Sequence, residues 1–254
     1  MIASGNANLT RANRTSPAKT GAGETVDGWY VPAAPNVDRD RVLRIQGYPD
    51  LSRVRPVIRR AAEAMAATAS ALSEPAIAHC IVRVESLSED ELLLEGSVRL
   101  HCMAFGRQLK GCTEIAPFVL GVGEAIPRRV QELAESGDLL EAVLLEAAGW
   151  LAIEDATRQF KTWLRETSLK RECRITSRMG PGYSYKIGDK MHMWRLEEQA
   201  ALFGLFGGSK LPATLMESCA MSPKMSRSGF YGIAPLQSPT NRIRAGEPAV
   251  ATSN

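Results

Sequence analysis

The sequence is short of the features that usually announce a chemistry. It has three histidines, His79, His101 and His192, far apart and with no His-x-x-x-His or Cys-His spacing. A zinc site needs several such donors close together, so no metal site is predicted. The five cysteines, Cys80, Cys102, Cys112, Cys173 and Cys219, are odd in number, widely spread and contain no Cys-x-x-Cys pair. That argues against a disulfide framework and fits a reducing, cytoplasmic setting. No apolar run approaches the ~20 residues of a membrane-spanning helix, so no membrane partner is expected. Gly-x-Ser-x-Gly and the Walker loop are both missing. Charge of neither sign dominates: 31 Lys plus Arg stand against 28 Asp plus Glu. The balance gives no reason to expect a nucleic-acid partner.

What is present is enough chain for a well-buried core, 254 residues, organised as one body between two polar ends. Residues 1–38 are rich in Ser, Thr, Asn, Ala, Gly and Pro without hydrophobic periodicity, and read as a disordered leader. It has no apolar core for a secretory signal. Arg11, Arg14 and Lys19, with no acid before Glu24, faintly resemble a transit peptide but lack an amphipathic face. The sequons Asn8-Leu9-Thr10 and Asn13-Arg14-Thr15 are accidental in a chain of this kind. Residues 237–254 read as a flexible tail, leaving 39–236 as the folded domain.

Within that domain Val54–Leu72 has an alanine-rich helical pattern. His79–Val84 and Glu91–Leu100 read as strands separated by the polar turn Ser86–Asp90. A short helix is expected over Phe105–Gly111 and a strand over Ile115–Val122. Gly121-Val122-Gly123 is an incomplete match to a phosphate-cradling loop, and a plain strand-to-helix turn is preferred. Ile126, Val130 and Leu133 repeat at helical spacing, and Gly137 ends that helix. Asp138 with Glu141 is a capping-box signal. Leu140 to Leu164 then traces one long amphipathic helix. Gly149 in its middle costs about 1 kcal/mol relative to alanine, so something is expected to pack closely there. Glu154 and Asp155 lie beyond that glycine. Arg174–Met179 reads as a strand, Trp194–Phe206 as a helix, and Leu211–Leu215 and Arg227–Ile233 as strands.

The most unusual stretch is Arg178–Gly232. Arg178-Met179-Gly180-Pro181-Gly182-Tyr183 cannot continue a helix or a central strand, because proline fixes φ and lacks an N–H. An arginine and a tyrosine are thus held on a tight turn poor in Cβ atoms. Two readings stand open: a plain connection bearing a surface charge, or a turn that a ligand can approach closely.

In order, Arg-x-x-Pro-Gly-Tyr, Trp194-Arg195-Leu196-Glu197-Glu198-Gln199, Leu215-Met216-Glu217-Ser218-Cys219-Ala220-Met221-Ser222-Pro223 and Ser228-Gly229-Phe230-Tyr231 resemble the activation (reactivation) domain of cobalamin-dependent methionine synthase. The likeness is closest to its stand-alone, single-domain relatives. It extends upstream to Val42-Leu43-Arg44-Ile45-Gln46-Gly47-Tyr48-Pro49 and covers roughly residues 40–235. Two departures stand out: Gly180 replaces the usual alanine or serine, and Ser184–Met193 is longer than its counterpart.

The resemblance implies an α+β fold: a twisted, largely antiparallel sheet with flanking helices. It implies S-adenosylmethionine as ligand, with contacts from Glu154, Arg178, Gly180, Pro181, Gly182, Tyr183, Glu217 and Tyr231. Arg178 suits the carboxylate, Glu154 the ammonium, and Tyr183 and Tyr231 offer aromatic faces or hydroxyls. For Glu154, an ordinary solvated helix position stays open beside the ligand role. No residue is assigned as catalytic acid or base. The sequence lacks the Asp-x-His-x-x-Gly by which the family's cobalamin-binding module offers a histidine to cobalt. The implied cobalamin is therefore held by a partner, a cobalamin-binding methyltransferase protein, with a flavodoxin-like or other electron donor. The implied function is support of reductive methylation of cob(II)alamin on that partner. Two alternatives remain: a non-catalytic docking subunit of a corrinoid methyltransferase complex, and an S-adenosylmethionine-dependent methyltransferase with another acceptor.

Overall fold

The computed structural model describes residues 25–26 and 28–236. The predicted leader up to residue 24, with its two sequons, and the predicted tail over 237–254 lie outside the described residues.

The folded body begins earlier than the composition suggests. Thr25–Val26 (β1) pairs antiparallel with Trp29–Tyr30 (β2), and β2 pairs with Ala76–His79 (β3). Trp29 and Tyr30 are only 3% and 5% exposed. Downstream, the Ala33 N–H donates to Gln159 Oε1 at 2.8 Å, and the Asn36 N–H donates to Asp155 Oδ2 at 3.4 Å. The boundary expected near Asp38 is therefore corrected to Trp29 or before. Two aromatics anchor a segment that is otherwise polar, and average composition hides them. Each buried aromatic contributes roughly 1.5–3 kcal/mol.

Arg39–Ile45 (α1) starts at Asp38, whose carboxylate accepts the Asp40 N–H. Pro56–Leu72 (α2) opens on a proline, which fits the first helical turn. The predicted strand Glu91–Leu100 is instead a hairpin. Val82–Leu87 (β4), Glu91–Leu94 (β5) and Val98–His101 (β6) form an antiparallel meander. The chain reverses at Gly96 and Ser97, both with positive φ. A run of leucines on either side of one glycine concealed that turn. Phe105–Gln108 (α3) is a single turn of helix.

Glu114–Gly121 (β7) is the hub of the sheet. Along one edge it pairs with β3 and then β4; along the other it pairs with Ser226–Pro235 (β13). Beyond β13 lies Cys173–Met179 (β8). All these pairings are antiparallel, so the chain has the expected α+β architecture. Strand β7 is buried on both faces: Ala116, Phe118 and Leu120 point into one apolar cluster, Ile115 and Val119 into another. That explains an almost continuous apolar run with no polar alternation.

The first cluster is roofed by α1, α2, Ala125–Glu135 (α4) and Leu139–Leu169 (α5). Gly137, at φ +88°, separates α4 from α5. Asp138 is the N-cap of α5, but its side chain makes no capping hydrogen bond and lies 3.0 Å from the Ser136 hydroxyl instead. The expected capping box is therefore not formed. Gly149 does sit in a close contact: a Cβ there would collide with Met225 Sδ and lie 2.6 Å from its Cε.

The second cluster is covered by α3, by the hairpin Ser184–Ile187 (β9) and Lys190–Met193 (β10), by a 3-10 turn at Leu196–Glu198 and by Gln199–Gly204 (α6). The helix expected over Trp194–Phe206 is thus broken in two and starts later. Trp194 itself is fully buried against Phe105 and Phe230. Thr214–Leu215 (β11) and Met221–Ser222 (β12) form a short ribbon leading into β13. Among the described residues, no helix is long and apolar enough to cross a membrane.

Candidate functional site

Strand β13 and helix α5 build the site between them. Residues Arg227, Gly229 and Tyr231 alternate along β13 and share its α5-side face. Tyr231 stacks on Phe118, with ring centroids 5.7 Å apart, and belongs to the cluster under α5. Across the sheet, Tyr231 is the register partner of Arg178 on β8. Antiparallel partners project to the same side, so Arg178 joins Tyr231 on this face. Between Arg227 and Tyr231 the strand is bare. A Cβ at Gly229 would collide with the Met179 carbonyl, and its φ of +151° is one that side chains rarely adopt.

The turn after β8 supplies the second wall. Gly182, at φ +82°, lets the chain reverse so that its N–H donates to the Trp194 carbonyl at 2.7 Å. The Tyr185 hydroxyl accepts the Gly180 N–H at 2.7 Å and donates to the Gly180 carbonyl at 3.2 Å. The Arg178 guanidinium carbon lies 4.5 Å from the centroid of the Tyr183 ring. A cation over such a face gains ~0.5–2 kcal/mol. Pro181 is buried in the turn, whereas Tyr183 is 45% exposed.

Arg178 is also incompletely satisfied. Its Nη1 is buried and has no hydrogen-bond partner among the described residues. A buried donor left unpaired costs ~1–3 kcal/mol, so this atom is ready for an acceptor. A carboxylate is the acceptor that matches a guanidinium best.

Glu154 reaches the site from α5, but it arrives engaged. Arg227 Nη2 donates to its Oε1 at 2.5 Å, and Arg227 Nη1 donates to Thr157 Oγ1 at 3.0 Å. The Arg227 side chain is 9% exposed and Glu154 is 52% exposed. The hydrogen bond from Arg227 holds the Glu154 carboxyl below the ordinary glutamate range; partial burial opposes this, and the Arg178 and Arg41 charges assist it. For Tyr231, burial pushes the hydroxyl up to about 12 even though Arg178 and Arg227 pull the other way. It is a neutral donor or acceptor at ordinary pH.

Six of the eight sequence-predicted residues are contiguous around the turn and strand: Arg178, Gly180, Pro181, Gly182, Tyr183 and Tyr231. Glu154 joins them through the electrostatic reach of Arg178 and the bond to Arg227. Glu217 stands apart. It is exposed between β11 and β12 and makes no hydrogen bond or ion pair among the described residues.

Sequence reasoning missed Arg227, Thr157 and the structural use of Gln199. An arginine inside the otherwise buried run 226–234 was the available signal, since a buried charge needs a partner. Gln199 is 3% exposed; it accepts from Ser228 Oγ and donates to the Cys219 carbonyl, both at 3.0 Å. That one side chain ties together three of the four sequence motifs.

Other features do not converge here. Surface hollows beside Tyr30 and Trp163, and beside Met103 and Lys110, contain none of the predicted site residues. Among the described residues, no group of three His, Cys, Asp or Glu is placed to hold a metal ion.

The sequence matches no family model and no curated protein. Among solved structures it is similar to the crystal structure of the MetH reactivation domain bound to AdoHcy. The TM-score is 0.54 at 17% identity, over 82% of this chain and 79% of that chain. Sequence agreement that low carries the architecture only: this chain has the fold of the reactivation domain.

Proposed function

We propose that this chain binds S-adenosylmethionine at the Arg178–Tyr183 turn and serves as a reactivation component for a cobalamin protein. The observation that supports it most directly is the buried Nη1 of Arg178, which has no hydrogen-bond partner among the described residues and lies beside Gly180 of that turn. The donor set fits the ligand part by part. Arg178 would take the carboxylate, Glu154 has free acceptor capacity for the ammonium, and the exposed Tyr183 ring would flank the rest, whereas Tyr231 is 1% exposed and packs in the core beneath the site. The similar solved domain holds AdoHcy, the demethylated form of that ligand.

The bound ligand would supply an electrophilic methyl on a sulfonium, leaving as a neutral thioether with no proton moved. This chain's residues would contribute placement: the fork of Arg178 would fix one end of the ligand, and the exposed Gly182 adds no side chain beside it. Holding the methyl in line with its acceptor is catalysis by proximity and orientation. The acceptor in this reading is the reduced cobalt of a corrinoid held by a separate methyltransferase protein. One electron from a flavodoxin-like donor would be consumed per cob(II)alamin rescued.

A second reading, a docking subunit that has lost the ligand, draws on one observation. Glu154 is already bonded to Arg227, so a ligand ammonium must share it. Calorimetric titration with S-adenosylmethionine separates the two. Saturable one-to-one binding supports the reactivation reading, and no binding at millimolar ligand overturns it. Adding the chain to an inactivated cobalamin-dependent methionine synthase lacking its own activation domain, with a reductant, then tests rescue directly.

A further inference from the structure

Helix α5 is apolar on two sides where it starts. Ala142, Leu144 and Leu145 belong to the first core cluster, whereas Leu139 and Val143, one turn apart, are 63% and 49% exposed, with Leu140 beside them. A helix that is hydrophobic all round is ordinarily covered all round. Among the described residues this outward side has no cover. Its rim is acidic: residues 132–146 hold five acids and no lysine or arginine. Glu132 and Glu146 are paired with Arg129 and Lys224, but Glu135, Asp138 and Glu141 make no ion pair among the described residues.

The opposite charge is gathered on α1 and the start of α2. Residues 39–60 hold seven arginines, two aspartates and no lysine, in a chain whose net charge is only +3. Arg39 is bonded to Asp40, and Arg59 donates to the Leu51 carbonyl. Arg41, Arg44, Arg53, Arg55 and Arg60 are exposed and make no side-chain hydrogen bond or ion pair among the described residues. Ile45 and Val57 lie among them, each 55% exposed. Aliphatic residues ringed by arginine fit a protein partner, since arginine is enriched in protein interfaces and is weakly hydrated. Nucleic acid would meet the arginines and leave the aliphatic residues without contact.

The two surfaces do not meet within one molecule. The Asn36 N–H donates to Asp155, which places the start of α1 beside that part of α5. Leu139 lies sixteen residues earlier on the same helix, ~24 Å away along its axis. Each surface has what the other lacks: an apolar centre with an acidic rim against an apolar centre with an arginine rim. We infer that this chain associates with a second copy of itself, the acid-rimmed start of α5 on one copy seating on the arginine surface of α1 and α2 on the other. Each copy offers both surfaces, so the contact can be made reciprocally and close.

The test is sedimentation equilibrium of the full chain over a range of concentrations, at about 0.1 M and about 1 M salt, a change that shortens the Debye length from ~10 Å to ~3 Å. Expected is concentration-dependent association that weakens at the higher salt. Leu139→Ser with Val143→Ser should weaken it about tenfold or more, as should Arg55→Glu with Arg60→Glu. These positions are exposed, so the melting curves should stay near that of wild type. A second reversal, Glu135→Lys with Glu141→Lys, completes the test. Each charge-reversed protein should repel its own kind, whereas an equimolar mixture of the two should associate, because facing charges are again opposite. Wild type that is monomeric at every concentration overturns the inference and leaves these surfaces to a different partner. Association indifferent to all three double substitutions also overturns it, by showing that the copies meet elsewhere. So does a mixture of the reversed proteins that stays monomeric.

Discussion

Arg178 and Tyr183 are held in contact across a residue that has no side chain. The guanidinium carbon is 4.5 Å from the ring centroid, and a Cβ placed on Gly180 would lie 3.1 Å from Arg178 Nη1 and 3.4 Å from Tyr183 Cδ2. The ring contact holds the guanidinium while its buried Nη1 stays without a hydrogen-bond partner among the described residues. If that nitrogen takes the ligand carboxylate, Arg178→Ala should weaken S-adenosylmethionine binding by ~2–5 kcal/mol. Arg178→Lys should recover only part, because a point charge lacks the fork. Calorimetry beside a melting curve reads both effects. Undiminished binding by Arg178→Ala places the carboxylate elsewhere.

Tyr231 gives an alkaline signature. Its folded pKa, about 12, lies above the ordinary 10.0, so the native state keeps a proton that the unfolded state loses. The stabilisation is fully present below pH 10.0 and is lost as pH rises toward about 12. Ultraviolet titration should show a late-ionising tyrosine that Tyr231→Phe removes. The variant should also flatten the fall of stability with pH over that window. An unchanged titration curve would mean that Tyr231 ionises with the exposed tyrosines.

Gly149 tests how tightly α5 is seated. Alanine there should favour the helix by about 1 kcal/mol on propensity alone. Its Cβ, however, would meet the Met225 thioether, with Ile126 Cγ2 at 3.1 Å. Overpacking of this kind typically costs ~1–3 kcal/mol, so Gly149→Ala should be net destabilising. Gly149→Ala with Met225→Ala should recover part of the loss against Met225→Ala alone. Denaturant unfolding measures the cycle; a stabilised Gly149→Ala would show that Met225 swings away freely.

Removing residues 1–36 should lower the melting temperature by many degrees. The truncation deletes Trp29 and Tyr30, and aromatic-to-alanine losses in a core run ~3–5 kcal/mol each. It also strands Gln159, which bonds both the N–H and the carbonyl of Ala33. A melting curve matching full length would show that the segment contributes nothing to the body.

The sequence made the architecture and the turn legible for different reasons. Helices α2, α4 and α5 followed from apolar periodicity, and β7 from an unbroken apolar run. The Arg178–Tyr183 turn stood out because Gly-Pro-Gly permits few backbone shapes. The hairpin between β5 and β6 was hidden because leucine continues on both sides of Gly96. Trp29 and Tyr30 were hidden because local composition says nothing about a distant docking surface on α5 and β3. Arg227 was passed over for a related reason: its partners, Glu154 and Thr157, lie about seventy residues away, and no spacing rule connects them. Glu217 illustrates the converse, a motif position whose side chain the fold leaves in solvent.

The position of β13 has a consequence for how the protein is made. It is the last strand among the described residues, yet it fills the gap between β7 and β8. While the ribosome is still adding it, β7 has an open apolar edge, and such an edge invites pairing with other chains. The sheet cannot close from its amino-terminal part outward, and the long sequence separation of the β7–β13 pairing favours slow closure. Arg227 and Tyr231 arrive on that same strand, so a nascent chain acquires its candidate site and its protection from aggregation in one event.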